Sequence, residues 1–149
     1  MAGNARLLSC SVTGLTVVVV TLVLATLAGV RMRRRDGVVR EVRGEVERLT
    51  SGDIHAELGE RATLVQFSTS FCQPCRATRR ILGEVAEMVP GVAHVEIDAE
   101  SRLDLVRSLN ILRTPTVLVL DASGQIVKRA SGQPRKADVI GALGLAVGE

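Results

Sequence analysis

The stretch Phe71-Cys72-Gln73-Pro74-Cys75 places two thiols three positions apart, directly after a short apolar run at residues 63–67. The run predicts a buried strand, and apolar residues at helical spacing predict a helix that begins at the cysteines. A thiol at a helix N-terminus is favoured as a thiolate by unpaired N–H groups and by the helix dipole. Because a thiolate is the nucleophile of disulfide exchange, we expect Cys72 to attack a partner disulfide and Cys75 to resolve the mixed disulfide. Pro74 suits the first helical turn, where its missing donor costs nothing.

Three alternatives to a redox dithiol have less support in the sequence. A structural zinc site needs four ligands, so Cys10, His55 and His94 would have to converge on the pair. An iron–sulfur site lacks ligands for the same reason. Two inert buried thiols are the third alternative, but inert thiols would not be favoured at a junction between a strand and a helix. We therefore expect a redox dithiol and no metal site.

The segments around the motif predict a small domain of the α/β class. Further strands are predicted at residues 92–98, 116–120 and 125–129, and further helices at about residues 101–109 and after residue 132. The order strand, helix, strand predicts a parallel pair, and the turn at residues 121–124 predicts an antiparallel hairpin. The expected fold is a mixed sheet with helices on both faces. Its last helix is expected to turn four large apolar residues toward the sheet: Val139, Ile140, Leu143 and Leu145.

Over residues 59–149 this pattern resembles the thioredoxin family. The cysteine motif is similar to the family's Trp-Cys-Gly-Pro-Cys, and Thr114-Pro115-Thr116 is similar to its cis-proline turn. The resemblance implies a thioredoxin-like fold in which Pro115 is cis and lies against the dithiol. It also implies that Thr114, Pro115 and Gly132 line a substrate groove, where an extended substrate strand would pair with the backbone.

Near the motif the sequence departs from the family at four positions. Phe71 replaces the tryptophan and keeps an apolar cover without the indole donor, and Gln73 replaces the glycine between the cysteines. Gln66 stands where the family usually buries an aspartate that relays a proton to the resolving thiol, and His94 stands where a lysine often accompanies it. If His94 points toward Gln66 and Cys75, its imidazole could serve as the base. The alternative is a strand histidine with an ordinary hydrogen bond.

The composition limits the classes of partner. Two Phe and no Tyr or Trp argue against modules that stack nucleic-acid bases on aromatic rings. The formal net charge of +3 is a local feature, because residues 1–50 hold eight arginines against four acidic residues while the remainder is nearly neutral. We therefore expect no nucleic-acid partner.

An uncharged run at residues 7–30 explains the position of these arginines. Its length predicts a transmembrane helix at residues 13–30, after a short tail at residues 1–12. A cleaved signal peptide would instead carry basic residues before the run and small residues after it, whereas Arg31 and three more arginines follow this one. The positive-inside rule predicts that the soluble part faces the cytoplasm, with the extracytoplasmic face as the alternative.

Residues 31–58 are expected to form a basic juxtamembrane connector. The family's full fold has a further strand and helix before residue 63. Either the connector supplies them or the domain lacks them.

The expected function is a membrane-tethered thiol–disulfide oxidoreductase acting on protein disulfides. The dithiol itself carries the electrons, so no dissociable cofactor is expected, and an unidentified electron donor or acceptor completes the cycle. Two alternatives stay open: an extracytoplasmic reductase or oxidase of exported proteins, and a non-catalytic binding module that uses the same groove.

Overall fold

The computed structural model of the protein describes residues 3–35, 40–41 and 48–148, with side chains described at residues 14–31 and 48–148. The chain divides into two compact units, Met1–Arg35 and Asp36–Glu149. The first unit holds one helix, α1 (Gly3–Arg35). Within α1, Gly14–Arg31 is long and apolar enough to cross a membrane, and its side chains are exposed.

The second unit alternates strands and helices along the chain. Its elements are β1 (Arg40–Glu41), α2 (Ser51–Ile54), β2 (Ala62–Ser68), α3 (Gln73–Met88), β3 (Val92–Asp98), α4 (Leu103–Ser108), β4 (Thr116–Asp121), β5 (Ile126–Ser131) and α5 (Lys136–Val147). The strands and helices predicted for residues 63–149 are all present; the strand bounds differ by one or two residues, and the last helix begins at Lys136, four residues after Gly132.

A five-stranded mixed sheet in the order β1-β5-β4-β2-β3 forms the centre of this unit. Strands β2 and β3 are parallel, with Gln66 opposite Glu96, and the other neighbouring strands are antiparallel. The parallel pair and the β4–β5 hairpin confirm the predicted connectivity. All seven residues of β2 are buried, because this strand lies between two neighbours and is covered on both faces.

Each face of the sheet has its own apolar cluster. Leu64 and its neighbours pack against Leu82 and Val85 of α3 and against α5 on one face. Phe67 packs with Leu49, Ile54 and Leu109 on the other, where α2 and α4 lie. Because side chains alternate along a strand, Leu64 and Gln66 share the face that α3 covers, while Val65 and Phe67 share the opposite one. The helices on both faces confirm the predicted α/β class.

The predicted buried face of the last helix was wrong in two of its four residues. Ile140 and Leu145 are exposed, whereas Ala142 and Ala146 are buried beside Val139 and Leu143. The buried positions follow the spacing i, i+3, i+4 and i+7 of one helical face. Ile140 and Leu145 lie outside that face. The position around the helix, and not the size of the side chain, therefore decides which residues are buried here.

Part of the segment predicted as a connector belongs to the domain. Strand β1 pairs with β5, and α2 is a single turn capped at Thr50, whose side chain and that of Asp53 satisfy each other's backbone N–H groups. Leu49 and Ile54 are buried in the core. Residues 40–41 and 51–54 therefore add a short strand and a single helical turn to the domain ahead of residue 63.

Candidate functional site

The two cysteines lie where the chain leaves the sheet. Strand β2 ends at Ser68, a short loop follows, and α3 begins at Gln73. Cys72 and Cys75 are joined by a disulfide with an S–S distance of 2.03 Å. Pro74 occupies the first turn of α3, as expected.

Cys72 caps the N-terminus of α3. Its Sγ accepts a hydrogen bond from the backbone N–H of Cys75 at 3.1 Å. After reduction, the same N–H group and the dipole of a 16-residue helix would face the Cys72 sulfur. Both favour the thiolate, which is the reactive form in disulfide exchange.

The two sulfurs differ in their access to solvent. Cys72 is half-buried and lines an open cavity of about 620 Å³, whereas Cys75 is only 3% exposed. Cys72 is therefore the cysteine that an incoming disulfide can reach more easily. Cys75 is buried and is placed to attack Cys72 Sγ from the protein side.

The remaining residues of the motif are at the surface. Gln73 and Pro74 are exposed, and Phe71 is 96% exposed at the cavity's edge. Phe71 therefore does not shield the disulfide as the sequence suggested. An aromatic ring held in solvent beside a reactive sulfur offers a contact surface to an incoming chain.

The loop before β4 lies next to the loop that carries the cysteines. The Thr114–Pro115 peptide bond is cis, as the resemblance implied. The Thr114 and Thr69 hydroxyls are 3.3 Å apart, and the Gly132 N–H donates to the Pro115 carbonyl at 2.7 Å. A hydrogen bond thus joins Gly132 to Pro115, and a separate contact joins Thr114 to the loop that carries the cysteines.

Comparison with known proteins agrees with this arrangement. The family model for Thioredoxin matches residues 45–143. The chain belongs to the thioredoxin family. Among sequence relatives, a thioredoxin of Mycobacterium tuberculosis (strain H37Rv) is 30% identical over 54% of this chain and 69% of its own length. Putative thioredoxin H10 of Arabidopsis thaliana is 27% identical over 55% of this chain and 51% of its own length, so the match spans about half of that relative.

Solved thioredoxin structures show the same fold. Chloroplastic thioredoxin z superposes with a TM-score of 0.57 at 24% identity, over 72% of this chain and 99% of that one. Thioredoxin of Fasciola hepatica gives a TM-score of 0.51 at 18% identity, over 59% of this chain and 83% of that one. The protein is thus a thioredoxin-type redox domain with a CxxC pair that forms a disulfide.

Within this thioredoxin domain, Gln66 lies beneath the dithiol. It is fully buried, and its Nε2 donates to the Cys75 backbone carbonyl at 3.0 Å. The same nitrogen lies 3.5 Å from Oε1 of Glu96, its register partner on β3. His94 is instead the register partner of Leu64, two residues further from the end of the strands where the cysteines lie.

The two titratable residues on this face of β3 have shifted pKa values. Burial lowers the pKa of His94; the Glu96 carboxylate opposes that shift, and the Arg79 guanidinium adds to it. Burial alone would raise the pKa of Glu96, but hydrogen bonds from Arg79 and Ser68 and the charges of Arg79 and His94 lower it overall. The two shifts favour the uncharged form of His94 and the ionised form of Glu96.

Sequence reasoning missed Glu96 and Arg79 as parts of the site. Both line the cavity that holds Cys72 and Cys75, and they form an ion pair. A signal was present: Arg79 is four residues after Cys75 on the same helix, and the parallel pairing aligns Glu96 with Gln66. Charged residues on an amphipathic helix and on an alternating strand usually face solvent, so neither residue stood out in the sequence.

The histidines of the zinc alternative do not gather at the cysteines. Among the described residues there is no group of three or more side chains that could hold a metal ion. His55 is exposed at the end of α2, and the side chain of Cys10 lies outside the described residues.

Proposed function

We propose that the chain is a membrane-tethered thiol–disulfide oxidoreductase that exchanges electrons with protein disulfides through Cys72 and Cys75. The observation that carries this proposal is the hydrogen bond from the Cys75 N–H to Cys72 Sγ at the start of α3. This bond gives Cys72 Sγ, the more accessible sulfur, a fixed hydrogen-bond donor. The second sulfur belongs to Cys75, which is buried three residues later.

The reaction runs in two exchanges. The Cys72 thiolate attacks one sulfur of a partner disulfide, forming a mixed disulfide and releasing one partner thiolate. The Cys75 thiolate then attacks Cys72 Sγ, which releases the second partner thiolate and forms the Cys72–Cys75 disulfide. Two electrons pass to the partner, so an electron donor must reduce the protein again. The opposite direction uses the same steps in reverse.

The cis-proline loop supplies the groove for the partner chain. The Thr114 hydroxyl lies 3.3 Å from that of Thr69 in the cysteine loop, and Gly132 is joined to Pro115 by a backbone hydrogen bond. An extended segment around the partner disulfide would add as a strand to exposed backbone groups here. Phe71 adds an apolar contact at the rim.

Helix α1 is the proposed tether. Gly14–Arg31 has the length and apolar character of a single span, and its arginine flank favours a cytoplasmic domain. In the reducing cytoplasm the dithiol would act as a reductase of protein disulfides. The chemistry needs no dissociable cofactor, because the dithiol holds the two electrons.

The enzymatic proposal is tested with the full chain in detergent micelles. Turnover of insulin disulfides with dithiothreitol as donor is expected for the wild type and is lost in Cys72→Ser. Cys75→Ser is expected to accumulate the mixed disulfide with insulin, because the resolving thiol is absent. A folded, reducible wild type without turnover would favour the binding-module alternative.

The direction of electron flow is tested by the midpoint potential of the Cys72–Cys75 couple. A value of about −270 mV marks a reductant, and a value of about −120 mV marks an oxidant. We expect the former.

The topology is tested by C-terminal fusions to two reporters, one active only in the cytoplasm and one active only after export. Activity of the cytoplasmic reporter is expected. Activity of the exported reporter instead would support the extracytoplasmic alternative.

A further inference from the structure

An ion pair joins the helix that carries the cysteines to the neighbouring strand. Arg79 of α3 donates through Nε to Oε2 of Glu96 at 2.6 Å and through Nη2 to Oε1 at 2.7 Å. Two parallel hydrogen bonds of this kind fix the guanidinium and the carboxylate in one plane. Glu96 is mostly buried, with 23% of its side chain exposed, whereas the Arg79 side chain is 59% exposed.

This pair is connected to the dithiol in two ways. Gln66 Nε2 contacts both Oε1 of Glu96 and the carbonyl of Cys75. Arg79 and Glu96 also line the same cavity as Cys72 and Cys75. Both charges are therefore close to the sulfurs, in a partly enclosed space where solvent screens them less than on an open surface.

We propose that Arg79 and Glu96 hold two opposing charges in balance beside the Cys72–Cys75 couple, so that the loss of either charge alone shifts its redox potential. The inference rests on the proposed function, because it concerns the same dithiol. Arg79 and Glu96 act as positioning residues here, since neither exchanges electrons.

The sign of each charge's effect follows from the charge of the reduced state. Reduction replaces a neutral disulfide with a dithiol whose Cys72 sulfur carries negative charge as a thiolate. A cation nearby stabilises that state and makes the couple more oxidising, while an anion destabilises it and makes the couple more reducing. In the intact pair the two effects largely cancel.

Further charged groups face the same cavity. Arg76 and Asp98 line it, and His94 lies near Glu96 on the strand. Arg76 contributes one positive and Asp98 one negative charge, and burial favours the uncharged form of His94. Removal of one member of the Arg79–Glu96 pair therefore leaves a net charge that the remaining lining does not compensate.

The test uses the full chain in detergent micelles, with Cys10→Ser in every variant so that only the dithiol reacts. The equilibrium constant of the Cys72–Cys75 couple with glutathione is measured at pH 7 for Arg79→Gln, Glu96→Gln and the double variant. This measurement needs no protein substrate, so it gives a result even if the proposed turnover fails.

Opposite shifts are expected from the two single variants. Glu96→Gln makes the couple more oxidising and Arg79→Gln makes it more reducing, each by about threefold to tenfold in the equilibrium constant, equivalent to about 14 to 30 mV. The double variant is expected to return close to the parent protein. The alkylation rate of Cys72 in the reduced protein at pH 7 should rise in Glu96→Gln and fall in Arg79→Gln.

Glu84→Gln is the matched control. Glu84 is on α3, nine residues after Cys75, and does not line the cavity. It forms an ion pair of 2.8 Å with Lys136 of α5. Removing that charge should leave the potential unchanged. Shifts of the same sign in both single variants, or shifts no larger than that of Glu84→Gln, would overturn the proposal. If Glu96→Gln fails to fold, the direction of the shift in the more exposed Arg79→Gln still decides it.

Discussion

Gln66 Nε2 donates a buried hydrogen bond of 3.0 Å to the backbone carbonyl of Cys75. The contact ties the buried strand β2 to the first turn of α3, which carries both cysteine positions of the motif at its start. An amide at this position offers a donor but carries no charge, so its role here is to hold the resolving cysteine in place.

Replacing Gln66 with Leu is expected to destabilise the oxidised domain by about 1–2 kcal/mol, because the variant loses a buried hydrogen bond at similar volume. The free energy of unfolding is measured by urea titration with circular dichroism. Gln133→Leu is the control, since Gln133 is exposed and a surface change of this kind stays within about 0.5 kcal/mol. Equal stability of Gln66→Leu and wild type would show that the contact contributes nothing.

The sequence predicted those parts of the fold that depend on local pattern. Alternation along residues 92–98, helical spacing after the cysteines and the turn at residues 121–124 each define an element by themselves. The dithiol was predicted from its place between a strand and a helix, and the cis bond at Thr114–Pro115 from the family resemblance; the substrate groove stays a prediction. Pairing between distant segments was harder to predict: β1 has two residues, too few for a periodic signal.

Glu96 illustrates why the rest of the site could not be predicted. A lone glutamate in an alternating strand is normally a solvent-facing residue. Its burial depends on the register with Gln66 and on the position of Arg79, and both are set by the tertiary structure. The sequence focused attention on His94 instead, because family resemblance carries over positions and does not show which side chains touch.

The lowered pKa of His94 predicts a loss of stability in weak acid. Burial, the main cause, disfavours the charged imidazole in the folded state. As the pH falls below about 6.5, the unfolded chain binds the proton first, so the free energy of unfolding decreases until the pH passes the folded pKa. The wild type should therefore be less stable at pH 5.5 than at pH 7.5, and His94→Gln should lose much less stability over this range.

His55→Gln is the control for this pH dependence. His55 is exposed, so its replacement should leave the wild-type decrease in place. An identical decrease in wild type and His94→Gln would contradict the burial argument. The same His94→Gln protein tests the predicted base role, which requires that insulin reduction slow more at pH 7.5, where the imidazole is free to accept a proton, than at pH 5.5.

Two glycines are expected to respond to alanine with opposite signs. Gly83 lies inside α3 with open space around the position of an added Cβ, so Gly83→Ala should stabilise the domain by about 0.5–1 kcal/mol. Gly132 has a φ of 94°, which side chains rarely adopt, so Gly132→Ala should destabilise it by about 1–2 kcal/mol. Thermal unfolding followed by circular dichroism compares the two. Stabilisation by Gly132→Ala would mean that the groove backbone does not need this conformation.

Phe71→Ala is expected to weaken the capture of protein substrates without affecting the fold. The ring is 96% exposed beside Cys72, so its removal should change the free energy of unfolding by less than about 0.5 kcal/mol. If a substrate chain covers the ring, the loss of that apolar contact should raise KM for insulin reduction by up to about tenfold while kcat changes little. Met88→Ala, which removes another exposed apolar side chain at the far end of α3, should leave KM unchanged. Phe71→Trp should keep the wild-type KM, since the side chain stays aromatic. If Phe71→Ala lowers kcat and leaves KM unchanged, the ring acts in the exchange step and not in substrate capture.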